Sequence, residues 1–107
     1  MKAPVVGILG GGQLARMLIL AGTPLGVRFQ VLDSCADACA GALAPLEVAD
    51  WQDRDALQRW ARGVDVITFD FENVPADAAA EMAARVPVFP QPKALAIAQD
   101  RLAEKTL

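Results

Sequence analysis

The sequence predicts an α/β domain of three layers, a parallel sheet of about five strands with helices on both faces, and three observations predict it. Apolar runs at Val5–Leu9, Val27–Leu32, Leu46–Val48, Val64–Phe69 and Val86–Phe89 alternate with stretches of helical spacing, the pattern of strands joined by crossover helices. The stronger runs are β-branched and apolar on consecutive positions, as strands buried on both faces require. The first run breaks into three glycines, Gly10 to Gly12, and helical spacing resumes directly after them. At 107 residues the chain has room for one domain. A chain of that size buries roughly two-thirds of its unfolded surface, enough for a core.

The helix after Gly12 carries its apolar residues at Leu14, Met17, Leu18 and Ala21, the i, i+3, i+4, i+7 stripe of an amphipathic helix. Glycine suits the turn before it because the turn is tight, and because a backbone without Cβ lets a ligand approach the N–H groups at the helix start. Gly22 to Gly26, with Pro24 inside it, ends this helix before the second strand. Ser34 to Ala44 is a small-residue segment, expected to be a short helix or loop, and Leu46–Val48 is a weak third strand. Asp53 can cap a helix whose core side is Leu57, Trp60 and Ala61 and whose stop is Gly63. Trp51 and Trp60 are expected to pack against the sheet or a helix.

The fourth strand delivers Asp70, Phe71, Glu72 and Asn73 at its carboxyl end. Pro75 suits the first position of an alanine-rich helix running to about Arg85. Val86–Phe89 is the fifth strand, and Pro92 opens a last helix with Leu95, Arg101, Leu102 and Lys105. Without a closing cap or return strand, the chain is expected to be cut rather than finished. The abundance of alanine is attributed to overall composition.

Hydrophobic residues make up 54% and charged ones 21%, a globular balance. The net charge of -3 comes without a basic stripe, which speaks against binding nucleic acid or acidic membranes. The glycines interrupt the N-terminal apolar run too early for a signal peptide, and no run has membrane-spanning length. Cys35 and Cys39 lie four apart in a chain without histidine, so they are read as free thiols in a reducing compartment, not as metal ligands or a disulfide. The expected location is the cytoplasm.

Gly10-x-Gly12-x-x-Ala15 satisfies the dinucleotide-binding fingerprint, and Asp33 lies where a ribose-binding acid belongs. Glycines after a strand equally serve domains that bind other phosphorylated ligands or simply turn tightly, so the residues alone leave all three readings open. Alternation along Asp70, Phe71 and Glu72 puts the two acids on one side, at the strand ends where ligands gather in open sheets. A carboxylate there suits an amine or hydroxyl donor, and it equally suits capping the next helix or facing solvent. Arg101 and Lys105, interleaved with Asp100 and Glu104, have by themselves the pattern of a solvated helix surface.

Taken together, GGGQLARM after the first strand, Pro24-Leu25-Gly26, TFDFENVP from Thr68 to Pro75 and QDRLAEK from Gln99 to Lys105 are more specific. In this order and spacing they resemble the N5-carboxyaminoimidazole ribonucleotide synthetases of purine biosynthesis, within the ATP-grasp superfamily. The match runs over nearly the whole chain but covers only that family's amino-terminal domain. It implies a Rossmann-like preATP-grasp domain and a ligase that joins bicarbonate to the exocyclic amine of 5-aminoimidazole ribonucleotide while ATP becomes ADP and phosphate. It also implies Mg2+ on the triphosphate and a homodimer at full length.

Carried over by position, the resemblance implies that Gly10, Gly11, Gly12, Gln13 and Leu14 contact the aminoimidazole ribonucleotide. Glu72 is implied as the catalytic acid that faces the amino-imidazole end and orients the nucleophile, and Arg101 as a residue that reaches the ATP phosphates. Lys105 matches its motif without an assigned role. Ala15 and Asp70 depart from the glycine and glutamate of many relatives, small changes that leave the turn and Glu72 intact. The lysines on ATP, the acids on magnesium and the basic residues at the substrate phosphate are expected beyond Leu107, so this piece alone is expected to be inactive. The first rival is an NAD(P)-binding oxidoreductase domain using Gly10, Gly12, Ala15 and Asp33. The second is a non-catalytic sensor or interaction domain of the same fold. The FENV and QDR motifs, for which a dehydrogenase has no need, and the lack of tyrosine or histidine as a proton donor favour the ligase.

Overall fold

Four parallel strands form the middle layer of the computed structural model, which describes residues 3–69, 74–84 and 86–89. In chain order the elements are β1 (Val5–Leu9), α1 (Gln13–Gly22), β2 (Arg28–Asp33), β3 (Leu46–Val48), α2 (Arg54–Ala61), β4 (Val66–Phe69) and α3 (Ala76–Ala83). Short 3-10 turns occupy Thr23–Leu25 and Cys39–Ala42. The strands lie in the order β3-β2-β1-β4, with Leu9 of β1 level with Leu32 on one side and Phe69 on the other.

Consecutive apolar residues in β1 and β2 serve two faces, as buried parallel strands do. Ile8 and Val31 pack with Ala15 and Ile19 of α1 and with Ala40, while Leu9 and Leu32 join Ile67, Phe69 and the apolar sides of α2 and α3. Helices therefore cover both faces, and the layers are the three expected. Asp65 ties the start of β4 to β1: its Oδ2 accepts from the Val5 N–H and its own N–H donates to the Val5 carbonyl, both at 2.8 Å.

The sheet has four strands where about five were expected. Val88 pairs with Ile67 in an isolated parallel bridge, in which the Ile67 N–H donates to Pro87 and the Phe89 N–H to Ile67. Pro87 has no N–H to offer the Asp65 carbonyl, so the ladder cannot extend in that direction. The last helix, from Pro92, lies outside the described residues.

A second correction concerns α1. Its buried residues are Ala15 and Ile19, whereas Leu14 is 47% and Met17 64% exposed. Ala15, Leu18, Ile19 and Gly22 have the same spacing as Leu14, Met17, Leu18 and Ala21, so the period admits both faces. Close packing selects the smaller one. A Cβ on Gly22 would lie 2.5 Å from the Phe29 ring, and Ala15 is 2% exposed above the sheet. The helix ends through the 3-10 turn into Gly26, whose φ is +86°. There the Gly26 N–H donates to Thr23 and the Val27 N–H to Gly22, the paired bonds of a Schellman closure.

Asp53 caps α2 as expected, its Oδ1 accepting from the Ala56 N–H at 3.1 Å, and Leu57, Trp60 and Ala61 face the core. Gly63 does not end α2 by a left-handed turn, because positive φ occurs only at Gly10 and Gly26 among the described residues. Pro75 is the extended residue before α3 rather than its first helical one. Trp51 is half-buried against the core and Trp60 lies within it, as expected.

Candidate functional site

The strand order reverses between β1 and β4: β2 and β3 follow β1 on one side, and the chain then crosses to the other. Open α/β sheets take ligands in the crevice outside the carboxyl ends at such a point. The glycine turn after β1 opens there. β4, the neighbouring strand, ends at Phe69, paired with Leu9. Asp70, Glu72, Arg101 and Lys105 themselves lie outside the described residues.

The three glycines do three different things. Gly10 takes a φ of +94°, which a side chain would strain, and donates its N–H to the Leu32 carbonyl at 2.8 Å. Gly11 donates its N–H to Oδ2 of Asp33 at 2.6 Å, and its carbonyl accepts from the Ala40 N–H at 2.9 Å and the Cys39 thiol at 3.7 Å. A Cβ on Gly11 would stand 2.8 Å from the Ala38 methyl and 3.2 Å from Val31 Cγ1, so glycine is needed here for contact with the chain itself. Gly12 is the N-cap residue of α1, with extended backbone and no side-chain cap.

The first bond inside α1 runs from the Arg16 N–H to the Gly12 carbonyl. A helix leaves its leading amides without internal partners. Among the described residues no acceptor faces those of Gly12, Gln13 and Leu14. Of the five positions assigned to substrate, Gly10 and Gly11 therefore use their N–H groups within the fold. Gly12, Gln13 and Leu14 have no partner for theirs among the described residues, at the positive end of the α1 dipole. Such an arrangement can donate hydrogen bonds to an oxygen-rich or anionic group.

Asp33 does not stand free, as the dinucleotide reading needs. Its second oxygen, Oδ1, accepts from the Cys35 N–H at 3.0 Å, so both oxygens are engaged by the backbone. Ala15 does fulfil the third position of the fingerprint in its packing sense, as a small residue that lets α1 approach β1 and β2. Cys35 and Cys39 are free and exposed. No cluster of three His, Cys, Asp or Glu side chains placed to hold a metal occurs among the described residues, and no helix there is long and apolar enough to cross a membrane.

Sequence reasoning missed the 38–40 segment that closes over the glycine turn. Ala38 touches the Gly11 position and Ala40 is fully buried, so these alanines are set by packing and not by composition alone. The signal was present: small residues following an Asp-x-Cys turn, where only small side chains fit against a glycine.

Comparison with known proteins agrees with this geometry. Residues 1–99 match the family described as the ribonucleotide synthetase preATP-grasp domain. The N5-carboxyaminoimidazole ribonucleotide synthase of Pseudomonas aeruginosa is 49% identical over 102 residues, which cover 95% of this chain and 28% of that protein. The crystal structure of the N5-carboxyaminoimidazole ribonucleotide synthetase from Thermus thermophilus superimposes with a TM-score of 0.87 at 53% identity, covering 94% of this chain and 28% of the other. The N5-carboxyaminoimidazole synthase from Aspergillus clavatus, in complex with ADP and 5-aminoimidazole ribonucleotide, superimposes with a TM-score of 0.75 at 28% identity over 98% of this chain and 30% of its own. The chain thus spans under a third of the length of these relatives.

Proposed function

The chain belongs to the ribonucleotide synthetase preATP-grasp domain family, and on that premise we propose that it is the amino-terminal, substrate-binding domain of an ATP-dependent carbon–nitrogen ligase of purine biosynthesis. The enzyme, of the relatives' length, carboxylates 5-aminoimidazole ribonucleotide with bicarbonate to N5-carboxyaminoimidazole ribonucleotide as ATP becomes ADP and phosphate. We further assign it to the cytoplasm as a homodimer.

The observation that carries this reading is the uncapped first turn of α1 at the strand-order reversal, with both oxygens of Asp33 accepting backbone N–H groups. That combination favours a ribonucleotide held by Gly12, Gln13 and Leu14 over a dinucleotide held by a free acid. Glu72, three residues after the end of β4 in the sequence, would accept a hydrogen bond from the exocyclic amine and orient its lone pair toward the activated carboxyl group. Arg101 would reach the ATP phosphates. The Mg2+ that accompanies ATP in phosphoryl transfer finds no ligand cluster among the described residues.

A backbone-amide NMR titration of the chain with 5-aminoimidazole ribonucleotide, and with NAD in parallel, tests the reading. The ribonucleotide should move the Gly12, Gln13 and Leu14 amides while NAD leaves them in place. Movement of the same amides by NAD alone would return the dinucleotide reading.

A further inference from the structure

Asp33 lies 22 positions after Gly11, at the end of β2, yet its carboxylate joins two backbone amides that would otherwise be independent. One oxygen holds Gly11, the last residue before the N-cap of α1, and the other holds Cys35, the start of the segment that closes over the turn. Resting on the reading of this turn as a substrate loop, we propose that Asp33 is a positioning residue. It fixes the open first turn of α1 and the 38–40 cover as one unit, and it does not touch the substrate.

Three features support a lock over a ligand. Bonds from N–H groups to an ionised carboxylate are roughly twice as strong as neutral ones. Neighbouring bonds point the same way: Gly10 is tied to Leu32, and Ala40 to Gly11, so the carboxylate closes a frame that already spans β1, β2 and the cover. The turn is also closely packed on one side, because Ala38 and Val31 stand 2.8 and 3.2 Å from where a Gly11 Cβ would lie. A negative charge 2.6 Å from the Gly11 amide repels any phosphate seated there. Of the five loop positions assigned to substrate, this leaves the amides of Gly12, Gln13 and Leu14 to donate. A glycine turn that elsewhere serves an anion has its anion built in.

The test compares the wild-type chain with Asp33→Asn, each followed by amide NMR during titration with 5-aminoimidazole ribonucleotide to millimolar concentration. The asparagine keeps the volume but sets an NH2 group against one of the two amides. Without ligand, the Gly11 and Cys35 resonances of the variant should leave their wild-type positions. At a temperature where both proteins are folded, its affinity for the ribonucleotide should fall about tenfold, as for a turn that is open only about a tenth of the time, even though loss of the carboxylate charge removes a repulsion of the ligand phosphate. In the wild-type chain the ligand should move Gly12, Gln13 and Leu14 and leave Gly11 and Cys35 in place. Equal affinity of variant and wild type overturns the positioning role, and so does ligand-induced movement of Gly11 and Cys35 as large as that of Gln13. If Asp33→Asn does not fold, this last comparison in the wild type decides alone. Gly12–Leu14 amides that ignore the ribonucleotide both in this chain and in the enzyme of the relatives' length overturn the substrate reading itself, and the positioning role with it.

Discussion

Gly7, in the middle of β1, lies beneath the indole of Trp60: a Cβ there would stand 2.6 Å from the ring carbon Cη2 and 3.0 Å from a Val64 methyl. Gly7→Ala should therefore destabilise the chain by about 1–3 kcal/mol, the range of overpacked cores, as read by urea denaturation. Phenylalanine lacks the carbon that collides, so Trp60→Phe should recover part of that loss in the double variant. Strictly additive costs would show that the indole is not what excludes the side chain. The residues assigned to chemistry call for a different readout. In the ligase of full length, Glu72→Ala should lower turnover by about a hundredfold and weaken the ribonucleotide, with the KM for ATP nearly unchanged. Arg101→Ala should raise the KM for ATP, and a selective effect on the ribonucleotide would misplace it. Motif resemblance made both residues legible, since spacing alone left Glu72 divided between a site and a cap.

Among the elements, α2 and α1 mark what local pattern can settle and what it cannot. Asp53 precedes the apolar positions of α2 at capping distance, and the cap forms as read; its removal in Asp53→Ala should cost about 1 kcal/mol of stability. In α1 nearly every position after Arg16 is apolar, so period could not choose the buried face. The choice fell to the small residues that let the helix lie close to β1 and β2. Ile19→Ala should accordingly cost about 2–5 kcal/mol, and Met17→Ala less than about 0.5 kcal/mol, in the same denaturation assay. Comparable losses at the two positions would contradict the packing. The Val86–Phe89 run fails as a strand for a reason visible in its own sequence: Pro87 removes the donor that a longer ladder needs.

At the scale of the whole molecule, sheet order matters most, because it brings the turn after β1 and the end of β4 to one crevice. α2 and α3 close the opposite side of the sheet, joined across their surfaces by Gln58 Nε2 donating to Glu81 Oε1 at 2.9 Å. The chain on its own should show no ATP hydrolysis dependent on 5-aminoimidazole ribonucleotide, measured as ADP release, while the enzyme of the relatives' length should; turnover by the chain alone would refute the division of labour. The sequence by itself determined the α/β class, the boundaries of β1 and β3, the cap of α2 and the place of the glycine turn, since propensity, capping and glycine stereochemistry act within a few residues. Only the tertiary structure decided which face of α1 is buried, that the fifth run contributes a bridge, and that both Asp33 oxygens accept backbone N–H groups. Each of those depends on which group from a distant part of the chain arrives to fill the space or take the hydrogen bond.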